Sequence, residues 1–528
     1  MTSEPFPGLK KLTAIGWIMV FFILERLPLF SVKAPYLSQY EYRGVFGADQ
    51  IISTGHLSTL PSITTVVGFA SVYRDFPGTQ ILWAIISELT SLPVIGLAIV
   101  PAFSLLAVAC FYLVALRISN APWPSFLASL LFTAVPFQFA YAVSSFVHAH
   151  LVFMVGLLCV LRAQERPSSG FSLMVMVSFA ALLLANSTVA TFFLLIVFSL
   201  WLLRSRYKSI RGGKRSAPIA LMVMFAAYLY QTELFRKLLT SVGYGTFHRF
   251  NAFGFLAGAT VDPAVGLPVY RDTLASGLAY LNLAPVAIIL LVGIAVLSVS
   301  RRKSGRTDVE TKYAYAFLLA LLLFTLLMAF VVDIRRGLDF VVIGGLPLIL
   351  VALKKVFGQK STSRKKAVAV VAAAVALLVP SLGTVPLLLN DTYWKYTFDY
   401  RPESRAINWL SEVGLECAPL LSDVKAAGFA LVVSKFLPFA PHEDLPGSFG
   451  ILQTYDQSSP YSGFASGYVF FSERMDRVYF GFVQNYDSPG HSTLEADSRF
   501  NRIYDSGGAV LLENRALMEN DTYCLGGD

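Results

Sequence analysis

Long apolar runs recur along this chain of 528 residues, the first over residues 12–30 and the last over residues 368–389. Between them lie further runs at 94–116, 122–141, 146–161, 171–185, 188–203, 218–230, 278–299, 313–332 and 338–353. A helix crossing the hydrocarbon of a bilayer takes about 20 residues, so eleven such runs predict a polytopic α-helical membrane protein. Composition agrees. Hydrophobic residues make up 55% and charged residues 14%, against roughly 45–50% and about 25% in soluble domains. A water-soluble enzyme and a disordered regulator are both excluded.

The loops orient the spans. Residues 12–30 follow Lys10 and Lys11 and lack a small-residue cleavage site after a short apolar core, so they read as a retained first span. With the N-terminus in the cytoplasm, the inner loops carry 22 Lys+Arg and the outer loops before the tail carry 9. Positive charge stays cytoplasmic during insertion, which supports this orientation. Residues 81–91 are apolar but short, follow Pro77-Gly78 and stop at Pro93. They read as an interfacial or re-entrant helix on the outer side; counting them as a span would put the basic loops outside.

The resulting division is a membrane domain, 1–389, with long outer loops 31–93 and 231–277, and an extracytoplasmic domain, 390–528. Charge follows the same boundary: residues 389–528 hold 10 Lys+Arg and 19 Asp+Glu, whereas the preceding residues hold 32 and 14. The basic residues sit in short loops between apolar runs, which argues against a nucleic-acid partner. In the tail, residues 401–413 read as a helix, with strand-like runs at 429–433, 468–471, 478–483 and 509–512 between Gly/Pro/Ser clusters. It reads as a small α/β or α+β domain. Cys417 and Cys524 share it, and a disulfide between them suits an extracytoplasmic location. Asn390 and Asn520 begin N-glycosylation sequons on the outer side, which would make the chain a glycoprotein; the sequon at Asn186 falls on a span boundary and reads as chance.

Candidate chemistry lies in the outer segments. The first outer loop holds Glu41 and Asp49 eight residues apart. A carboxylate at the membrane surface can take a proton from an incoming nucleophile or share a divalent cation such as Mg or Mn; ordinary solvated loop charges are the competing reading. His148 and His150 open the fourth span, and alternate residues on a helix point about 200° apart, so the two would meet at one metal only in a non-helical turn. Packing at the interface or contact with substrate are the other readings. Arg335 and Arg336, flanked by Asp333 and Asp339, run against the inner bias of positive charge. Their planar forks suit phosphate oxygens, and a local salt-bridge set is equally consistent. Arg249 lies among aromatic residues and is a weaker candidate. No P-loop or dinucleotide fingerprint is present.

One span, a long outer loop with an acid (Asp49), Gly55-His56, Tyr73-x-x-Phe-Pro-Gly78, an apolar helix and a span ending at Arg117 together resemble the GT-C superfamily. These are membrane glycosyltransferases that use polyprenyl-phosphate sugars, among them protein mannosyltransferases, aminoarabinose transferases and oligosaccharyltransferase catalytic subunits. The segment from Asn501 to Gly507 is similar to the end of many archaeal members. The Trp-Trp-Asp-Tyr-Gly signature of the oligosaccharyltransferases is absent, as is the Asp-Glu pair of the mannosyltransferases. The resemblance implies that an acid of the first outer loop, Asp49 with Glu41 second, serves as base or metal ligand. It also implies a lipid-linked sugar donor and an extracytoplasmic protein, lipid or glycan acceptor. Two other functions fit the layout: a lipid or sugar transporter or flippase, and a catalytically silent scaffold. The matched broken halves of many transporters are not visible.

Overall fold

The computed structural model describes residues 11–31, 39–55, 78–94, 102–133, 145–165, 168–204, 216–232, 260–261, 268–271, 290–291, 293–295, 298, 309–331, 340–357, 401–413, 420–421, 438–439, 468–472, 478–479, 482–486 and 490–514. In chain order its helices are α1 (Lys11–Ser31), α2 (Gln39–Thr54), α3 (Gly78–Thr90), α4 (Ala102–Ser119), α5 (Pro122–Thr133), α6 (Ser145–Glu165), α7 (Ser169–Ala185), α8 (Ser187–Arg204), α9 (Ser216–Thr232), α10 (Val309–Val331), α11 (Val341–Phe357), α12 (Arg401–Val413) and α13 (Gly490–Ala496). The strands are β1 (Thr260–Val261), β2 (Pro268–Arg271), β3 (Leu420–Leu421), β4 (Pro438–Phe439), β5 (Tyr468–Ser472), β6 (Val478–Tyr479), β7 (Phe482–Tyr486), β8 (Phe500–Asp505) and β9 (Ala509–Asn514). The expected runs 278–299 and 368–389 lie wholly or mostly outside the described residues, as does the expected strand at 429–433.

Two units emerge, and each is discontinuous in sequence. The first gathers residues 1–34, 100–252 and 278–386; the second gathers 35–99, 253–277 and 387–528. Both long loops thus fall largely in the unit that holds the tail.

The first unit is a helix bundle apolar on both faces. Inside, Phe192, Phe324 and Phe340 bring α8, α10 and the start of α11 together, with ring centroids 4.7–5.1 Å apart. Phe153 of α6 stacks on Phe192 at 5.9 Å. Phe111 of α4 and Phe132 of α5 lie parallel at 4.0 Å. Outside, the large exposed side chains are apolar too: Trp17, Phe21 and Leu24 on α1, Leu173 and Val177 on α7, Met222 and Phe225 on α9, Leu322 and Leu326 on α10. Water does not tolerate so broad an apolar exterior on a monomer; hydrocarbon does. α1, α6 and α10 run 21, 21 and 23 residues, about 30–35 Å at 1.5 Å per residue. Over the residues whose side chains are described, no helix is long and apolar enough to cross a membrane.

Polar contacts mark one end of this bundle. Arg117, in the last turn of α4, forms an ion pair with Glu165 at the end of α6. Tyr313, near the start of α10, donates to Gln164 Oε1 at 3.0 Å, and Lys354 of α11 donates to the Ser119 carbonyl at 3.4 Å. These are the ends that alternation of the spans assigns to one side. Elsewhere, Ser168 caps α7 by accepting from the Phe171 amide. Asn186 caps α8, its side-chain carbonyl accepting from the Thr188 and Val189 amides, so the side chain of that sequon is engaged as a cap.

Close approach depends on small residues, as is usual where hydrocarbon removes the hydrophobic drive between helices. A Cβ on Gly344 would lie 2.9 Å from Leu321 Cβ, and one on Gly293 would lie 2.6 Å from the Leu348 carbonyl oxygen. A side-chain tip can swing aside; a helical carbonyl cannot. Gly293→Ala should therefore lower stability by about 1–3 kcal/mol, seen as an earlier melting transition in detergent, whereas Gly16→Ala, with open space around it, should not.

In the second unit a five-stranded sheet runs in the order β4-β3-β5-β9-β8. β3 is parallel to β4 and β5, and β9 is antiparallel to β5 and β8. β5 is buried along its whole length, as a central strand should be. α12 packs on β9, with Trp409 stacked on Tyr504 at 5.0 Å and Ser472 donating to the buried Glu403 at 3.0 Å. The β8–β9 turn needs glycine: Gly507 has φ +79° and donates its amide to Asp505. A second sheet has the order β1-β2-β7-β6. There β2, from the second long loop, pairs antiparallel with β7 of the tail, Val269 opposite Tyr486. The run expected at 478–483 is two strands, paired Val478 to Val483 and Tyr479 to Phe482.

Candidate functional site

The first long loop supplies two helices that pack on each other, α2 and α3. α2 is continuous from Gln39 to Thr54 through its glycines and carries both Glu41 and Asp49. Eight residues of helix advance about 12 Å. Among the described residues, no group of three or more His, Cys, Asp or Glu side chains is arranged to hold a metal ion.

Asp49 lies at the surface of α2 next to buried Ala48 and Val45. The side chain is exposed, yet neighbouring protein removes enough of its hydration to raise its pKa above the ordinary aspartate value. Such a carboxylate is a better proton acceptor than a fully hydrated one.

α3 is inverted relative to a helix of a soluble protein. Its buried residues are Thr79, Gln80, Trp83 and Ala84. Its exposed side carries Ile81, Ile85 and Leu89 at 40%, 50% and 80% exposure, continued by Leu92 just beyond its end, with the exposed Glu88 among them. This pattern suits the interfacial helix expected at 81–91, apolar side toward lipid. Among the described residues, Thr79 Oγ1 and both polar atoms of the Gln80 amide have no hydrogen-bond partner. Leaving a buried polar group unpaired costs about 1–3 kcal/mol. Sequence reasoning passed over this pair, because two polar residues after Pro77-Gly78 read as the start of a short apolar helix; their burial comes from packing on that helix's inner side.

The histidines lie in the first unit. α6 is helical from Ser145, so His148 and His150 diverge. His148 meets the Phe103 ring of α4 edge-on at 4.3 Å, and His150 stacks on Phe340 at 5.7 Å. Both are buried, 3% and 0% exposed. They face different helices and form no metal pair. Arg335, Arg336, Arg249, Cys417, Cys524, Asn390 and Asn520 lie outside the described residues. The segment from Asn501 to Gly507 forms most of β8 and its turn.

No family model matches the chain, and no curated protein matches it. Among solved structures, it is similar to the crystal structure of ArnT from Cupriavidus metallidurans in the apo state. The TM-score is 0.51 at 15% identity, covering 96% of this chain and 99% of that one. At this identity the likeness is one of fold, and it extends over nearly the whole of both chains.

The raised carboxyl pKa gives a stability prediction with a definite sign. A group that binds its proton more tightly when folded adds stability below its unfolded pKa and loses it as pH rises through the folded value. Asp49→Asn should thus melt no earlier than wild type at neutral pH, and wild type should gain on acidification relative to the variant. Earlier melting of Asp49→Asn at pH 7 would mean that the carboxylate is held by a favourable partner.

Proposed function

We propose that this chain is a membrane glycosyltransferase of the GT-C type, which moves a sugar from a polyprenyl-phosphate carrier to an extracytoplasmic acceptor. One observation carries the reading: the fold likeness to ArnT spans 96% of the chain. The apolar exterior of the helix bundle and the outward apolar stripe of α3 support a membrane setting. The cell membrane is the proposed location, with the N-terminus cytoplasmic and the tail outside.

In this reading Asp49 is the base. The acceptor's hydroxyl oxygen attacks the anomeric carbon on the face opposite the carrier, the carbon–oxygen bond to phosphate breaks with its electron pair on the phosphate, and the hydroxyl proton passes to Asp49. Configuration inverts. Arg335 and Arg336 receive the departing phosphate charge, a preorganised role in which bidentate guanidinium groups excel. Arg249 is a further candidate for substrate contact, as are His148 and His150 where α6 begins. Asp49, with Glu41 second, would hold a divalent cation such as Mg or Mn if the step uses one, and the cation would make the acceptor hydroxyl easier to deprotonate.

Asp49→Asn should reduce transfer by about 10²–10⁴-fold, the usual worth of a positioned base, with insertion and melting intact. Wild-type transfer should fall as pH drops through the raised Asp49 pKa, because protonation removes the base. The measurement is transfer from a defined polyprenyl-phosphate sugar in proteoliposomes. Full activity of Asp49→Asn, or substrate movement across the bilayer without a new glycosidic bond, would overturn the assignment.

A further inference from the structure

We propose that the end of the helix bundle where α4, α10 and α11 meet binds the phosphodiester headgroup of an anionic phospholipid, with Arg117 and Lys354 as its direct contacts and Lys312 as a supporting charge. It rests on the membrane setting proposed above and not on the chemistry of transfer. α4 packs on α6, α10 and α11, and α10 packs on α11. At their common end Lys354 of α11 donates to the Ser119 carbonyl at the end of α4, and Tyr313 of α10 donates to Gln164 of α6. Arg117 pairs with Glu165 and lies near enough to the Tyr313 phenol to act on it electrostatically. These contacts gather the cations of three helices into one patch. Both direct contacts are open to a ligand: the Arg117 side chain is 32% exposed, and Lys354 is exposed.

Charge and depth select the ligand. Among the described side chains of this patch, Arg117, Lys312 and Lys354 stand against one carboxylate, Glu165. Lys312 is 9% exposed in the first turn of α10. A cation there opposes the positive end of the helix dipole, so a nearby anion is worth more to it than to a fully hydrated lysine. A guanidinium fork beside an ammonium group suits phosphate oxygens. The depth is that of a lipid headgroup. Trp123 opens α5 four residues after Ser119, and Trp201 lies three residues before the end of α8, which returns to this end from the Asn186 turn. Tryptophan collects where hydrocarbon meets water. Trp201 is 38% and its neighbour Leu202 46% exposed, so the apolar exterior begins close to the level of the basic patch. A phospholipid held here keeps its acyl chains against that exterior; a free phosphate ion gains nothing from it. Basic pockets between helices at a membrane face hold anionic headgroups in this way.

The test titrates the full chain in detergent micelles with phosphatidylglycerol, with phosphatidylcholine, and separately with inorganic phosphate, reading the melting temperature. Phosphatidylglycerol should raise it by about 2–4 °C; phosphatidylcholine and phosphate should not. In Lys354→Gln the midpoint of the phosphatidylglycerol titration should rise by about fivefold, and in Lys312→Gln with Lys354→Gln by about thirtyfold. Arg162 is the control: an exposed cation at the same end, two residues from Gln164 and so on the other side of α6. Arg162→Gln should move the midpoint by less than about twofold. Lys354 is exposed, so its variant reads the site by itself if the double variant does not fold. Equal responses to the two lipids, no response to either, or an equal response to phosphate would overturn the site. So would a Lys354→Gln midpoint displaced no further than that of Arg162→Gln, since diffuse surface charge then explains the preference. Transfer activity is scored separately: a chain that transfers sugar without lipid discrimination loses only the headgroup site, and one that discriminates without transfer loses only the transferase assignment.

Discussion

The bundle's dependence on a hydrocarbon surrounding governs the rest of the structure. Helices apolar inside and out gain little from hiding from one another in lipid, so contact quality decides how they associate. That is the role of the Phe153, Phe192, Phe324 and Phe340 rings and of the small residues that admit close backbones, Gly293 and Gly344. Polar groups then concentrate at the helix ends, where Arg117, Glu165, Gln164, Tyr313 and Lys354 form one set of contacts. On α3, Ile81, Ile85 and Leu89 are outward, and Thr79 and Gln80 are buried beside Trp83 and Ala84.

The second unit draws its parts from three distant stretches of sequence. The first loop contributes a helix pair, the second a short strand pair, and the tail two groups of strands with α12 and α13. Backbone pairing of β2 with β7 joins the second loop to the tail. Asp49 therefore sits in a unit assembled from loops and tail.

Much of this was legible in the sequence, for reasons specific to each element. The helix at 401–413 was readable because its apolar positions repeat at helical spacing behind an acidic first turn, and the structure has Arg401–Val413. α1, α6 and α8 follow the apolar runs within a few residues. Of the run at 94–116, the structure describes residue 94 and α4 from Ala102 on. The run at 478–483 hid a reversal, since a tight hairpin of apolar strands looks like one strand to a pattern of period 2. For the site, Asp49 stood out as the acid after the first span. Gln80 did not, because a lone glutamine has no periodicity and its burial arises from tertiary packing. Gly44 and Gly47 do not break α2, so Glu41 and Asp49 share one continuous helix.

The pairing of β2 with β7 bears on biosynthesis. More than two hundred residues separate Val269 from Tyr486, and a ribosome working at about 5–20 residues per second needs roughly ten to forty seconds to make them. Throughout that interval the nascent β2 edge waits for a partner not yet synthesised or translocated, and bare edges of this kind invite pairing with other chains. Two short strands keep the exposed edge small. Maturation of the second unit is thus a late event that waits for the final segment to emerge, and any arrest of translation before then leaves it unfinished.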